Sequence, residues 1–329
     1  MQGRLQDHTG ADLSSKNACQ GVDSPFYDAY VPSKDVIGVV KSKLISSTEK
    51  FSISASSSRA GANSAAQVLR QPRRIGIELC CGSAGLTAAI VDAGWEGIGI
   101  DYNNAHKARA PWLSIDLTSG AGLRQLFQLL DDTCVAYVHM GLPCGTYSRA
   151  REIPIPADLI AQGAFEPVPL RSDDFPEGLP DLGANEQRRV DQANLLTEMG
   201  VRVALACLKK GILWTIENPR SSILWLVKSM QELMAMEGVR AVDGQMCMFE
   251  GGRNKWFRLV GNFVELDCMA KTCDGGHQHR PWGARYLDGK WGFHIKEEAE
   301  YTWAFSKGLA GAAIAAAQRL HLEGSSARL

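Results

Sequence analysis

No stretch of this sequence approaches the ~18 uninterrupted apolar residues of a membrane-spanning helix, and the mean hydropathy is -0.14. The expectation is a soluble chain with no membrane partner. An excess of charge of either sign is also missing: 35 Lys and Arg face 36 Asp and Glu, for a formal net charge of -1. That balance argues against a protein that coats nucleic acid non-specifically and assigns charged partners to local surfaces. The nine cysteines are odd in number and scattered, and no apolar signal segment precedes them. A secreted disulfide framework is therefore not expected, and a reducing compartment, nucleus or cytoplasm, is.

What is present divides unevenly. Hydrophobic residues make up 45% of the chain, enough for a substantial core. Between Phe51 and Arg74, however, the sequence is rich in Ser and Ala, with four arginines and no acid. Such a stretch has little apolar surface to offset the entropy of ordering, so residues 1–72 are expected to form a flexible extension. An organelle-targeting segment is the alternative.

From Arg74 onward short β-branched runs alternate with helical spacing. Strands are expected at 75–79, 97–101, 112–116, 135–140 and 212–216, and helices at 84–94, 119–130, within 185–211 and at 221–236. A closing helix is expected over roughly 297–322. This rhythm predicts an α/β fold, a doubly wound and mostly parallel sheet with helices on both faces, over 73–329. In such sheets ligands bind beyond the carboxyl ends of the strands. Glu78, Asp101, Asp116, Pro143-Cys144 and Glu217-Asn218 all fall there.

The full G-x-G-x-x-G of dinucleotide sites is missing; only Gly82 and Gly85 bracket the turn after the first strand, with Asp101 nineteen residues beyond Gly82. That pattern suits a nucleoside ligand without a pyrophosphate, the acid accepting from ribose hydroxyls. Alternatively the glycines shape a turn and Asp101 caps the next segment.

ELCCGSAGLTAAI, GLPCGTYS and the ENP at 217–219 resemble, in order and strand context over roughly 75–262, three motifs of the cytosine-5 nucleic-acid methyltransferases. The resemblance implies a Rossmann-like fold that binds S-adenosylmethionine and acts on DNA or, as second choice, RNA. Glu78, Gly82, Gly85 and Leu86 would line the cofactor loop, Asp101 would take the ribose and Asp116 the adenine amino group, and Pro143 would orient Cys144. Cys144 would be the nucleophile and Glu217 the acid at ring nitrogen 3, a role that needs a desolvated, protonated carboxyl. Read without the resemblance, Cys144 is a small half-buried turn residue and Glu217 a carboxylate at a helix N-terminus.

Within GGRNKWFRLVGN (251–262), Arg253, Lys255 and Arg258 stand beside Trp256 and Phe257, a mixture suited to phosphate contacts, and Arg253 is assigned near the base. A solvated edge strand is the alternative reading. The sequence departs from the family at Gly145, where glutamine is usual, and at Pro219, where valine is usual. It adds a Pro-rich, acidic insertion at about 151–185, expected to be a lid or an ordered surface loop. Residues 263–296 are too few for a typical sequence-reading domain. They do carry Cys268, Cys273, His277 and His279, two thiols and two imidazoles within twelve residues, a set sufficient for tetrahedral zinc; an unmetalled loop is the alternative. A non-catalytic relative that binds nucleic acid or protein remains the rival to the enzyme.

Overall fold

A computed structural model describes residues 73–102, 108–287, 290–293 and 298–326. The expected extension at 1–72 lies outside the described residues. Strand β1 (Ile75–Leu79) is buried along its whole length, as a near-continuous apolar run at the centre of a parallel sheet should be. Around it stand β2 (Glu96–Asp101), β3 (Trp112–Ser114), β4 (Val135–Gly141), β5 (Leu213–Pro219), β6 (Arg240–Gln245) and β7 (Trp256–Gly261). Their order in the seven-stranded sheet is β3-β2-β1-β4-β5-β7-β6. The pairs β1–β2, β1–β4, β2–β3 and β4–β5 are parallel, and β7 runs antiparallel to both β5 and β6. The fold is Rossmann-like. Its topological switch point, where the chain leaves one side of β1 and returns on the other, lies between β1 and β4, so the loops after these two strands flank one crevice.

Two apolar clusters cover the two faces. On one, α2 (Gly120–Leu130), α4 (Ala184–Lys210) and α5 (Lys228–Met234) contribute Leu126, Val203 and Met230 to a cluster with Ile77, Val138 and Ile216. On the other, α1 (Gly85–Asp92) and the closing α6 (Trp303–Ser326) bring Leu86, Ile90, Phe305 and Leu309 onto Tyr137, Leu213 and Leu259. Local signals set several ends: α4 stops at Gly211 in the left-handed region (φ 67°), and α6 begins where Thr302 Oγ1 accepts from the Phe305 N–H at 3.1 Å.

Three elements differ from expectation. The helix expected over 221–236 is split: a 3₁₀ turn at Ile223–Leu226 precedes α5, and Val227 between them is extended. Ile223, Leu224 and Trp225 are all buried, and three adjacent apolar side chains cannot share one face of an α-helix. Strand β6 was not expected, because RAVDGQ carries little β-branched pattern; it is held by pairing with β7. A separate hairpin, β8 (Ala284–Leu287) with β9 (Lys290–Phe293), occupies part of the region before α6. In the insertion, α3 (Ala157–Ala161) is the one α-helix, yet Ala164, Leu170 and Arg171 are buried, so this segment packs as an ordered surface loop. No helix among the described residues is long and apolar enough to cross a membrane.

Candidate active site at the carboxyl edge of the sheet

The loop after β1 alternates through the left-handed region at Cys80 (φ 56°), Gly82 (φ 50°) and Ala84 (φ 55°). Two of these are not glycine, a strain of the kind that persists where the surroundings over-determine the backbone. The fixing bonds are visible: Cys81 N–H donates to Ile100 O at 3.2 Å, and Ala84 N–H to Cys81 O at 2.7 Å. The Gly82 N–H donates to Asp101 Oδ2 at 3.0 Å, while Asp101 Oδ1 accepts from Tyr102 N–H at 2.8 Å. Space above Gly82 is open, since a Cβ built there would meet nothing within 4 Å. Gly85 is the first residue of α1, and the Leu86 side chain is turned wholly into the core, so what these two offer at the loop is backbone.

Glu78 is buried, and its Oε2 accepts from the backbone N–H and the hydroxyl of Thr87 at 2.7 and 2.6 Å. Burial raises its pKa to about 7 against the opposing effect of these bonds. The carboxyl thus holds the start of α1 to β1 and builds the loop from beneath. Asp116 Oδ1 accepts from the N–H and hydroxyl of Thr118 at 2.9 and 2.6 Å, which lowers its pKa and keeps it ionised. An open, strained backbone loop flanked by two carboxylates at the ends of β2 and just past β3 fits a nucleoside-bearing cofactor.

Across the switch point, parallel pairing sets Gly141 at the end of β4 beside Glu217 near the end of β5. The next residue of β5, Asn218, is fully buried, and its Nδ2 donates to Leu142 O at 2.7 Å, immediately before Pro143-Cys144. Asn218 therefore clamps the loop that carries the thiol. The loop is also held from outside. Arg151 Nε donates to Gly145 O at 2.7 Å, and Arg171, 1% exposed, donates from Nη2 to Thr146 Oγ1 at 3.0 Å and stacks on the Tyr147 ring at 3.6 Å. Cys144 itself is half-buried. Burial pushes its thiol pKa up, the Lys255 ammonium pulls it down, and a charged Glu217 would push it up further.

Glu217 is 6% exposed, and burial raises its pKa with Lys255 and Tyr301 opposing. Tyr301, just before α6, donates its hydroxyl to Glu217 Oε2 at 2.9 Å; a Cβ on Gly141 would sit 2.9 Å from that hydroxyl, so only glycine admits it. Behind Tyr301, His139 Nε2 lies 3.1 Å from its oxygen, His139 Nδ1 lies 2.8 Å from Thr215 Oγ1, and Tyr137 OH lies 2.6 Å from the same Oγ1. Burial lowers the His139 pKa to about 3, so the imidazole is neutral. One proton order satisfies every member: Tyr137 donates to Thr215, Thr215 to Nδ1, Nε2–H to Tyr301, and Tyr301 to Glu217 Oε2. The carboxyl proton then belongs on Oε1, which is buried and has no hydrogen-bond partner among the described residues.

Two sequence assignments change. Arg253 is enclosed rather than open to a base: it is 1% exposed, ion-paired through Nη1 with Glu298 Oε1 at 2.7 Å, and donates from Nε to Pro281 O at 3.0 Å. A buried guanidinium needs such a carboxylate, and Glu298 supplies it. The cation whose charge reaches both Cys144 and Glu217 is Lys255, its Nζ donating to Glu298 O at 2.9 Å. In the Cys/His region, Cys273, His277 and His279 converge with Cys247 in place of Cys268. Cys268 is exposed in a 3₁₀ turn (Val264–Met269) whose inward positions are Leu266 and Met269, whereas Cys247 is buried in the turn after β6. Tyr301 and His139 were missed too. The histidine had one sequence signal, a polar residue inside the apolar run VAYVHM; Tyr301 had none.

No protein-family model matches this sequence, and no curated protein matches it. Among solved structures, the Entamoeba histolytica methyltransferase EhMeth is similar at 13% identity and a TM-score of 0.37, over 58% of this chain and 53% of that one. The chain thus spans about half the length of that protein. The METTL16 methyltransferase domain is similar at 10% identity and a TM-score of 0.32, over 71% of this chain and 85% of that one. A human methyltransferase 10 domain containing protein is similar at 11% identity and 0.32, over 72% and 100%. Likeness at this level decides neither substrate nor mechanism.

Proposed function

We propose that the chain transfers a methyl group from S-adenosylmethionine to carbon 5 of cytosine in DNA or RNA, with Cys144 bonded transiently to carbon 6. The observation that carries this reading is the pairing, at adjacent strand ends, of a half-buried thiol with a buried carboxyl whose Oε1 is left for an outside acceptor. S-adenosylmethionine, when bound, supplies an electrophilic methyl group; Asp101 and Asp116 would accept from its ribose and adenine, beside the backbone of residues 80–84.

Cytosine carbon 5 is too weak a nucleophile to take that group unaided. Addition of the Cys144 thiolate to carbon 6 forms a carbon–sulfur bond and shifts the ring electrons to nitrogen 3. Glu217 delivers its Oε1 proton there, which leaves carbon 5 enamine-like and nucleophilic. Once carbon 5 has gained the methyl group, its hydrogen leaves as a proton to water. The ring double bond re-forms, Cys144 departs as thiolate, and nitrogen 3 returns its proton to the Glu217 carboxylate. The two side chains depend on each other: a neutral Glu217 removes the repulsion that disfavours the thiolate, and Lys255 offsets the thiolate charge. Because the target atom is hidden in a duplex, the base must be flipped out or presented in a single strand.

The test is an oligonucleotide containing 5-fluorocytosine, incubated with the protein and S-adenosylmethionine. Fluorine cannot leave as a cation, so the adduct should persist through denaturation. Cys144→Ser should abolish it, and Glu217→Gln, which cannot donate an acidic proton, should slow its formation. Attachment that survives in Cys144→Ser would overturn the nucleophile assignment. A non-catalytic binding module is the second reading, favoured by the short described stretch between β7 and α6, which holds a 3₁₀ turn and one small hairpin. Binding of oligonucleotides with neither adduct nor methyl transfer would select it.

A further inference from the structure

Four side chains remote in sequence from Cys144 and Glu217 converge where β6 ends. The ligand atoms of Cys247, Cys273, His277 and His279 all lie within 4.8 Å of one another. Cys273 Sγ is 3.7 Å from His277 Nε2 and 3.6 Å from His279 Nε2. A tetrahedral zinc ion, with zinc–sulfur bonds of about 2.3 Å and zinc–nitrogen bonds of about 2.0–2.1 Å, spaces sulfur and nitrogen ligands by roughly 3.6 Å. We propose that Cys247, Cys273, His277 and His279 bind a structural zinc ion.

The surroundings match what a thiolate and two imidazoles need around a metal. The Gly275 N–H donates to Cys273 Sγ at 3.4 Å, a bond that favours sulfur in its charged form. Cys273 N–H donates to Gln245 Oε1 at 2.7 Å, which ties the loop to the last residue of β6 two positions before Cys247. Both histidines turn Nε2 toward the sulfur, and the other nitrogen of His277 faces Asp274 Oδ1 at 3.9 Å, the side on which metal-bound imidazoles are oriented by carboxylates. Two thiols and two imidazoles suit zinc better than magnesium or calcium, which take oxygen ligands. Four protein ligands close the coordination sphere, so the site is structural.

The ion would fasten segment 273–279 to the end of β6, and the consequence reaches the site on the sheet edge. Beyond His279, Arg280 N–H donates to Gly252 O at 2.7 Å and Pro281 O accepts from Arg253. Arg253 pairs with Glu298, whose carbonyl receives Lys255. The metal therefore anchors the framework that positions Lys255 beside Cys144 and Glu217.

Elemental analysis of the full chain, purified without chelators, should find about one zinc per chain, as a four-ligand structural site takes one ion. Cys268→Ser should keep that content, and Cys247→Ser should lose it. Should Cys247→Ser fold poorly, cobalt(II) exchanged into the wild type and Cys268→Ser decides the matter. Both should show thiolate-to-cobalt charge-transfer absorption and the intense visible bands of tetrahedral cobalt. Absence of zinc together with no tetrahedral cobalt spectrum would overturn the proposal, as would a metal content that follows Cys268 and not Cys247, or a Cys247–Cys273 disulfide in protein handled under reducing conditions.

Discussion

Glu78 and Glu217 are two buried carboxyls near the ends of β1 and β5, the strands that flank β4, and what surrounds each oxygen sets them apart. Glu78 has one oxygen bonded by Thr87 and serves the loop after β1; Glu217 keeps Oε1 without a partner among the described residues, where the proposed acid would carry its proton. The pKa of Glu78 rises from 4.5 to about 7 because burial disfavours the carboxylate. Between these values the folded state holds a proton that the unfolded chain has released, so stability falls as pH rises through that window and levels off above about 7. Glu78→Gln cannot titrate. Its unfolding free energy relative to wild type should therefore climb by on the order of 3 kcal/mol across the window, since a pKa unit corresponds to about 1.4 kcal/mol. Denaturant melts at both ends of the window measure the difference, in which titrations shared by the two proteins cancel. A flat difference would show that Glu78 is ionised throughout.

The insertion after the thiol loop is fastened by one guanidinium. Arg171 donates to Thr146 Oγ1, to Pro176 O at 2.7 Å and to Asn194 Oδ1 at 2.8 Å, joining the thiol loop, the insertion and α4 at a single buried point. Sequence composition suggested a lid or an ordered loop, and this anchor explains why a Pro-rich segment with one short helix is ordered at all. Arg171→Met keeps the stem but takes a donor from Thr146 Oγ1, Pro176 O and Asn194 Oδ1, of which Thr146 is buried, at a cost of about 2–4 kcal/mol. The insertion should become the first site of limited proteolysis, cut within 151–183 while the sheet domain remains intact. Arg171→Lys should restore little, because an ammonium cannot reproduce the fork. An unchanged cleavage pattern in Arg171→Met would show that other contacts hold the segment.

At the scale of the molecule, the strand order brings the loop after β1 and the loop after β4 to the same crevice, so the proposed cofactor loop and the proposed nucleophile, 60-odd residues apart, would serve one reaction. S-adenosylhomocysteine should then raise the melting temperature, by mass action worth about 2.7 kcal/mol at a hundredfold excess over its Kd. Asp101→Ala should keep the fold and lose most of that shift, because the lost group is a half-exposed carboxylate at the end of β2 rather than a core residue. Absence of any shift in the wild type at millimolar ligand would count against the cofactor reading.

The apolar runs and turn residues determined the strands, most helices and the edge on which polar chemistry gathers. IGIEL, VAYVHM and ILWTI fall on β1, β4 and β5, and the Gly211 stop and the Thr302 start are local signals. Alternation along β4 and β5 turns Tyr137, His139, Leu213, Thr215 and Glu217 one way. What local pattern could not decide is which distant residue meets that face. Tyr301 reaches Glu217 only because α6 returns to pack on α1, and the charge acting on the thiol is that of Lys255, while Glu298 holds Arg253. Cys247 displaces Cys268 beside the histidines because β6, which the sequence barely signals, exists through pairing with β7. Covalent neighbours fix backbone preference over a few residues, whereas the partner of a buried charge or thiol is chosen by packing across the whole sheet, where desolvation forces each polar group to find whatever the fold brings within reach.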